Sequence, residues 1–136
     1  MAQTQGTEFQ VRLDLPDPMP LTDVELCTVL GNLLDNAVEA CSRQTKGKRR
    51  ILAVGEIRGN MYFLKIENTY DGLILPEEKT FRSRKGTAAD HGIGLSSVRR
   101  ILENHGGDLD LVPGEETFLV GITIECPFIS KSQRVI

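Results

Sequence analysis

Asp90-His91-Gly92-Ile93-Gly94-Leu95-Ser96-Ser97-Val98 places two glycines, one residue apart, directly before a run of apolar residues with helical spacing. Those residues recur at the intervals of an amphipathic helix: Leu95, Val98, Ile101 and Leu102. A helix that begins beside a glycine turn directs unpaired N–H groups and the positive end of its dipole at that turn. This arrangement is typical of a phosphate site, although an isolated G-x-G-L is also compatible with a flexible turn before an ordinary helix.

Composition indicates one globular domain over residues 1–136. With 16 Lys+Arg against 19 Asp+Glu, the net charge of -3 lacks the basic excess typical of nucleic-acid binding. We expect no membrane contact by this chain and a cytoplasmic location, because no apolar run is long enough to span a bilayer. Cys27, Cys41 and Cys126 fit neither a disulfide framework nor a zinc site. Cys27 and Cys41 fall in an apolar helical pattern and are predicted to be buried.

Alternation and turn signals outline the rest of the chain. Five segments have the pattern of strands, at about 8–15, 51–58, 61–67, 108–112 and 117–126. A capping box of Thr22 and Glu25 predicts that a helix begins at about residue 22, and it should continue to about residue 43. Gly59-Asn60 predicts a tight hairpin. These elements predict an α+β two-layer sandwich, with a mixed, mainly antiparallel five-stranded sheet covered on one face by helices.

Two asparagines interrupt the apolar first helix. Asn32 and Asn36 lie one turn apart on a narrow polar stripe that also includes Arg43. Asparagine is unfavourable inside helices because its amide competes for backbone groups, so a pair suggests amide oxygens presented to a ligand. A hard cation such as Mg²⁺, arriving with phosphates, accepts such oxygens. A solvated helix edge is the alternative.

The polar segment of about residues 73–91 has no sustained periodicity. It is rich in cationic residues and ends at the glycine turn: Lys79, Arg82, Arg84 and Lys85. A structureless stretch of this length is usually either an active-site lid or a disordered segment. Cations beside a phosphate site would help to neutralise a polyphosphate, and a solvated mobile loop is the alternative.

Three segments follow in the order of the motifs of a known superfamily. Gly31-Asn32-Leu33-Leu34-Asp35-Asn36-Ala37-Val38-Glu39-Ala40 resembles the N box of the GHKL ATPase/kinase superfamily, which includes DNA gyrase, chaperone ATPases and histidine kinases. Asn68-Thr69-Tyr70-Asp71-Gly72 takes the place of its first glycine box, and Gly92-Ile93-Gly94-Leu95 resembles its second. The similarity covers about residues 9–128 and is greatest to sensor histidine kinases of the peptide-pheromone, quorum-sensing type. It implies a Bergerat-type ATP-binding fold with an ATP lid over about residues 73–91.

The resemblance implies a role for each residue that would contact the phosphates of ATP. Asn36 would ligate the Mg²⁺ that bridges the phosphates of ATP, and Asn32 would face the phosphates or their waters. Lys85 would close over the γ-phosphate. The backbone N–H groups that would cradle the phosphates belong to the second glycine box: Gly92, Ile93, Gly94 and Leu95.

At the adenine end the sequence departs from the family. Alignment on Gly72 puts Asn68 where the family has the aspartate that accepts a hydrogen bond from the adenine amine, and it puts Tyr70 at a glycine position. An amide oxygen can still accept that bond, but without charge assistance. Asp71 lies close by and is the alternative partner.

The implied activity is transfer of a phosphoryl group. Hydrolysing members of the superfamily have a glutamate general base at the position of Asn32, and asparagine cannot take a proton from water. We therefore expect a histidine kinase domain that donates the γ-phosphate of ATP to a histidine on a separate dimerisation domain, with a response regulator downstream. We expect a fragment of a membrane receptor with little activity alone. A serine kinase of the anti-sigma type and a degenerate, non-catalytic nucleotide-binding or dimerisation module are the alternatives.

Overall fold

Six strands and two helices make up the part of the chain that the computed structural model describes, residues 6–73, 93–126 and 131–134. The helices are α1 (Asp23–Arg43) and α2 (Ile93–Asn104). The strands, in chain order, are β1 (Glu8–Asp17), β2 (Arg50–Arg58), β3 (Met61–Thr69), β4 (Asp108–Pro113), β5 (Thr117–Glu125) and β6 (Lys131–Arg134).

The strands form one sheet in the order β4-β5-β3-β2-β1-β6. Among the described strands, only β1 and β2 pair in parallel, and every other neighbouring pair is antiparallel. The predicted α+β class with a mixed, mainly antiparallel sheet of five strands is therefore confirmed. The short β6 adds antiparallel to the edge of β1. It was not predicted, because its sequence Lys-Ser-Gln-Arg has no apolar alternation and its pairing with β1 is made by the backbone.

Helix α1 begins at the predicted capping box. The N–H of Glu25 donates to Thr22 Oγ1 at 3.1 Å, and the N–H of Thr22 donates to Glu25 Oε1 at 2.9 Å. The buried face of the helix consists of Val29, Leu33, Ala37, Ala40 and Cys41. The prediction of a buried Cys41 is confirmed, whereas that of a buried Cys27 is wrong, because Cys27 is exposed. The buried face of α1 is therefore narrower than the apolar face that its sequence predicts.

Glycine turns end two of the elements as predicted. Gly59 has φ +60° between the paired residues Arg58 and Met61, which makes a two-residue hairpin between β2 and β3. After α2, Gly106 has φ +68°, and the N–H of Gly107 donates to the Leu102 carbonyl at 2.7 Å. This hydrogen bond satisfies a carbonyl that the end of the helix leaves free.

The core lies between the two helices and one face of the sheet. Alternate residues of β3 and β5 point into it, and its largest fully buried side chains are Val29, Leu33, Cys41, Ile51, Tyr62, Ile66, Val98, Leu102 and Ile124. Asn68 continues the buried alternation of β3, so its side chain lies on the helix-covered face. Neither α1 nor α2 is long and apolar enough to cross a membrane.

Candidate functional site

The two helices approach each other at Asn32 and Gly94. A Cβ atom on Gly94 would lie 3.1 Å from Asn32 Oδ1, which is tighter than ordinary van der Waals contact, so the glycine allows α2 to begin directly against the amide. Asn32 Nδ2 donates to the Thr28 carbonyl at 2.9 Å, one turn earlier in α1. The amide is therefore held at the junction, with its oxygen toward the first turn of α2.

The first turn of α2 consists of residues predicted to bind phosphate. Ile93, Gly94 and Leu95 open the helix, and their N–H groups have no partner four residues earlier within it. The second predicted asparagine, Asn36, is half-buried one turn after Asn32 and lines a cavity together with Leu95. The structure therefore brings both asparagines and the start of α2 to the same end of the helical layer.

That cavity lies between α1, the sheet and the start of α2. Its walls are mainly apolar, including Ala40, Ile66 and Phe118, and its polar lining consists of Asn36, Arg43, Asn68 and Tyr70. The volume left among the described side chains is ≈ 10 Å³, about that of one water molecule. A larger ligand would enter only if side chains at the edge of the cavity moved apart.

The two candidate partners for an adenine amine lie in different surroundings. Asn68 is 5% exposed and lines the cavity, and its Nδ2 donates to the Thr69 carbonyl at 2.9 Å. Asp71 is exposed, and its Oδ1 accepts from the N–H of Leu73 at 2.9 Å. Gly72, which follows Asp71, has φ +88°, a left-handed conformation that favours glycine. Asp71 therefore caps a surface turn, whereas Asn68 belongs to the cavity.

Tyr70, which stands at a glycine position of the family, is buried and lines the same cavity. Its hydroxyl donates to the Gly114 carbonyl in the turn between β4 and β5, and its N–H donates to the Glu116 carbonyl at 3.2 Å. Its ring meets Phe118 edge-on, with the centroids 5.5 Å apart. The departure from glycine thus connects the end of β3 to the β4–β5 hairpin.

Arg43 is a residue at this site whose role the sequence did not reveal. It lies on the polar stripe of α1, two turns after Asn36, and its half-buried side chain lines the cavity. Its Nε atom is buried and has no hydrogen-bond partner among the described residues. The stripe placed Arg43 on the correct side of the helix, but only the fold puts it near Asn68.

Part of the predicted site lies outside the described residues. Lys85, Gly92 and the remainder of the predicted lid after Leu73 lie outside the described residues. Among the residues that are described, no group of three or more His, Cys, Asp or Glu side chains could hold a metal ion.

A separate contact joins the two helices at their other ends. His105 Nε2 lies 3.0 Å from Glu25 Oε1, so the residue just after α2 meets the first turn of α1. The backbone hydrogen bond from Thr22 and the contact with His105 lower the pKa of Glu25 below its ordinary value. His105 therefore has a structural partner.

Comparison with protein families decides the assignment. The family model described as the GHKL domain matches residues 21–125. This chain belongs to the GHKL family. Within the GHKL domain, Asp71 lies on a surface turn, whereas five residues of the predicted motifs lie at the junction and cavity described above: Asn32, Asn36, Asn68, Gly94 and Leu95.

Curated relatives of this GHKL domain are sensor kinases. The chain is 35% identical to the sensor protein kinase CarS of Pseudomonas aeruginosa, over 95% of this chain and 28% of CarS. It is 31% identical to the sensor histidine kinase CitA of Klebsiella pneumoniae, over 68% of this chain and 17% of CitA. The predicted resemblance to sensor histidine kinases is confirmed, and the finer assignment to the peptide-pheromone type stays a prediction. The chain spans less than a third of these relatives.

Solved structures share the fold of the GHKL domain. The catalytic domain of histidine kinase ThkA superposes with a TM-score of 0.64 at 22% identity, over 89% of this chain and 79% of that one. Full-length ShkA in complex with AMPPNP gives a TM-score of 0.69 at 22% identity, over 97% of this chain and 28% of that one. The predicted fold class is thereby confirmed a second time.

Proposed function

We propose that this GHKL domain binds Mg·ATP and presents the γ-phosphate to a histidine on a separate dimerisation domain. It would act as the cytoplasmic catalytic domain of a sensor histidine kinase, with a response regulator as the downstream acceptor. The observation that carries the proposal is the junction of Asn32 and Gly94, next to a mainly apolar cavity lined by Asn36 and Asn68. The proposed phosphate contacts and the proposed pocket for the base are therefore neighbours. The sensor-kinase relatives support the same activity.

The phosphate end suits an anion for two reasons. The N–H groups of Ile93, Gly94 and Leu95 have no acceptor within α2, and the helix dipole adds positive potential there. Gly94 keeps this turn open, because any side chain at that position would press against Asn32. Gly92 and Lys85, which we propose as further phosphate contacts, belong to the segment outside the described residues.

The oxygen atoms that the site could offer as metal ligands also suit magnesium. Mg²⁺ prefers oxygen ligands and usually binds through few protein groups together with substrate phosphates. The amide oxygen of Asn36 would hold the ion at the cavity edge, and when bound the ion neutralises charge on the phosphate oxygens. Asn32 would orient the phosphates or their waters from one turn earlier.

Asn68 would bind the adenine base of ATP. Its Nδ2 is committed to the Thr69 carbonyl, so its Oδ1 is the group available to accept from an adenine amine. An amide gives a weaker bond than the carboxylate usual in the family, because charge assistance is lost. We therefore expect modest affinity for ATP. We propose a smaller role for Asp71, whose carboxylate already accepts the N–H of Leu73.

Asn32 also bears on the type of reaction. A carboxamide has no basic site near neutral pH, and the Nδ2 of this one donates to Thr28. The residue can position a phosphate but cannot activate water by removing a proton. Transfer to an external histidine is therefore favoured over hydrolysis, and catalysis would consist of positioning and electrostatic stabilisation.

Nucleotide binding is the first test. Titration of the chain with a non-hydrolysable ATP analogue, with and without Mg²⁺, should show Mg²⁺-dependent binding. Asn36→Ala should abolish that dependence and leave the thermal unfolding temperature nearly unchanged. Asn104→Ala is the matched control, because Asn104 is exposed at the far end of α2. No binding at millimolar nucleotide, or full Mg²⁺-dependent binding by Asn36→Ala, would contradict the proposal.

The acceptor is tested in the full-length protein. Incubation with labelled ATP should produce a phosphorylated product that is lost in acid and is stable in alkali, as phosphohistidine is. Label that survives acid would favour a serine kinase of the anti-sigma type. Nucleotide binding without any labelling would favour a non-catalytic module.

A further inference from the structure

The guanidinium of Arg43 has an unusual environment. Its Nε atom is buried and has no hydrogen-bond partner among the described residues, although most buried donors in proteins are paired. The side chain is half-buried at the end of α1 and lines the cavity to which Asn68 also contributes. An N–H donor in this position is suited to an acceptor that a ligand brings into the cavity.

The side-chain amide of Asn68 provides a hydrogen-bond acceptor in the same cavity as the Arg43 donor. Asn68 Nδ2 donates to the Thr69 carbonyl at 2.9 Å, and this bond orients the amide with Oδ1 as its remaining acceptor. The polar lining near the end of α1 therefore includes an unpaired donor, the Nε–H of Arg43, and a remaining acceptor, Oδ1 of Asn68, between apolar walls such as Ile66 and Phe118. A ligand edge that matches this pair has a donor next to an acceptor.

Adenine has such an edge, since its exocyclic amine donates and the adjacent ring nitrogen N1 accepts. Guanine presents the opposite order, with a carbonyl oxygen where adenine has the amine and an N–H at N1. We propose that Arg43 Nε–H donates to N1 of adenine while Asn68 Oδ1 accepts from the amine. Arg43 is thereby a specificity-determining residue of the nucleotide site, an inference that rests on the proposed function.

Arg43 can donate to the base because residue 68 is an asparagine and not an aspartate. An aspartate at that position would attract the Arg43 guanidinium, and the charged pair would occupy the donor. With a neutral amide there, the donor remains for the base. A hydrogen bond from a charged donor would also recover part of the affinity that the amide forfeits.

Binding of the base requires this side chain to move. The ≈ 10 Å³ left among the lining side chains cannot contain a purine. Arg43 is long and flexible and carries its charge at the end of an apolar stem, so it can yield space and keep its Nε toward the incoming ring. It gives up no hydrogen bond from Nε when it does so.

The test compares two nucleotides of equal charge by calorimetric titration with Mg²⁺. In 1-deaza-ATP a C–H group replaces N1, so only the hydrogen bond from Arg43 is removed. The parent should bind 1-deaza-ATP about tenfold more weakly than ATP. Arg43→Met keeps an apolar stem without a donor, and it should bind ATP about tenfold more weakly than the parent and no longer distinguish the two nucleotides.

Arg58→Met is the matched control for loss of one positive charge. Arg58 is 70% exposed, pairs with Glu56 and lies over Phe63 on the hairpin, so the variant should retain the parent's preference. Equal affinity of the parent for ATP and 1-deaza-ATP would overturn the inference, and this result needs no variant. A parent that binds no ATP would overturn the proposed function itself, whereas binding without discrimination overturns only the role of Arg43.

Discussion

Replacing Gly94 by alanine should separate nucleotide binding from stability. The new Cβ would lie 3.1 Å from Oδ1 and 3.4 Å from Cγ of Asn32, so the amide must shift by a few tenths of an ångström. The backbone of Gly94 is helical and accepts alanine without strain. The substitution therefore acts on Asn32, at the point where we propose that the phosphates bind.

The expected magnitudes follow from two opposing contributions to stability. Alanine is favoured over glycine in helices by up to about 1 kcal/mol. Displacing Asn32 weakens its bond to the Thr28 carbonyl, which contributes about 0.5–1.5 kcal/mol. The free energy of unfolding should thus change by less than about 1 kcal/mol. Affinity for Mg·ATP should fall about tenfold, or about 1.4 kcal/mol, because the displaced amide no longer meets the phosphates correctly.

Gly31→Ala is the matched control, because it makes the same substitution next to Asn32 in sequence. Gly31 is exposed within α1, and an added Cβ would meet no atom within 4 Å. This variant should be more stable by about 1 kcal/mol and bind Mg·ATP as the parent does. Urea unfolding and calorimetric titration provide the two measurements. The reasoning is refuted if Gly94→Ala keeps the parent's affinity, or if both variants lose affinity equally.

Three further substitutions test the packing around the site. The Tyr62 hydroxyl is buried without a hydrogen-bond partner among the described residues, and burial raises its pKa, so Tyr62→Phe should unfold in urea at an equal or higher concentration. Because the phenol ionises more readily when unfolded, only the parent should lose stability from this group above about pH 10. Tyr70→Phe removes one hydrogen bond to the β4–β5 turn and should cost about 1 kcal/mol, measured by urea unfolding. Glu25, whose pKa is lowered by Thr22 and His105, stabilises the fold above its ordinary pKa of 4.5, so the unfolding temperature of Glu25→Gln should be lower than the parent's at pH 7 but nearly equal at pH 3.

Local signals in the sequence predicted most of the fold. The capping box of Thr22 and Glu25, the hairpin glycine Gly59 and the alternation of β3 each depend on residues close together in the chain, so they can be read without tertiary information. Strand β6 could not be predicted in this way. It carries no apolar pattern and exists because β1 offers unpaired backbone groups at the sheet edge.

Some residues of the candidate site could likewise be predicted from local sequence, whereas others depend on the tertiary structure. Asn32 and Asn36 were predicted because their helical spacing puts them on one face, and Asn68 because of its place in a motif. Arg43 Nε is a buried, unpaired donor near Asn68 because the end of α1 lies close to β3 in the fold. No local sequence pattern predicts this proximity. The exposure of Cys27 was missed because hydrophobicity outlines a broad apolar arc on α1 and does not say which part of it is covered.

The uneven burial of the cysteines makes the chain convenient for site-specific labelling. Cys41 and Cys126 are buried, so Cys27 is the one exposed thiol among the three cysteines. It precedes Asn36 by nine residues, which corresponds to about 14 Å along α1 and about half a turn around it. A maleimide fluorophore could therefore be attached to the native chain without cysteine substitutions. Its emission would follow movements of α1 from the side of the helix opposite Asn36.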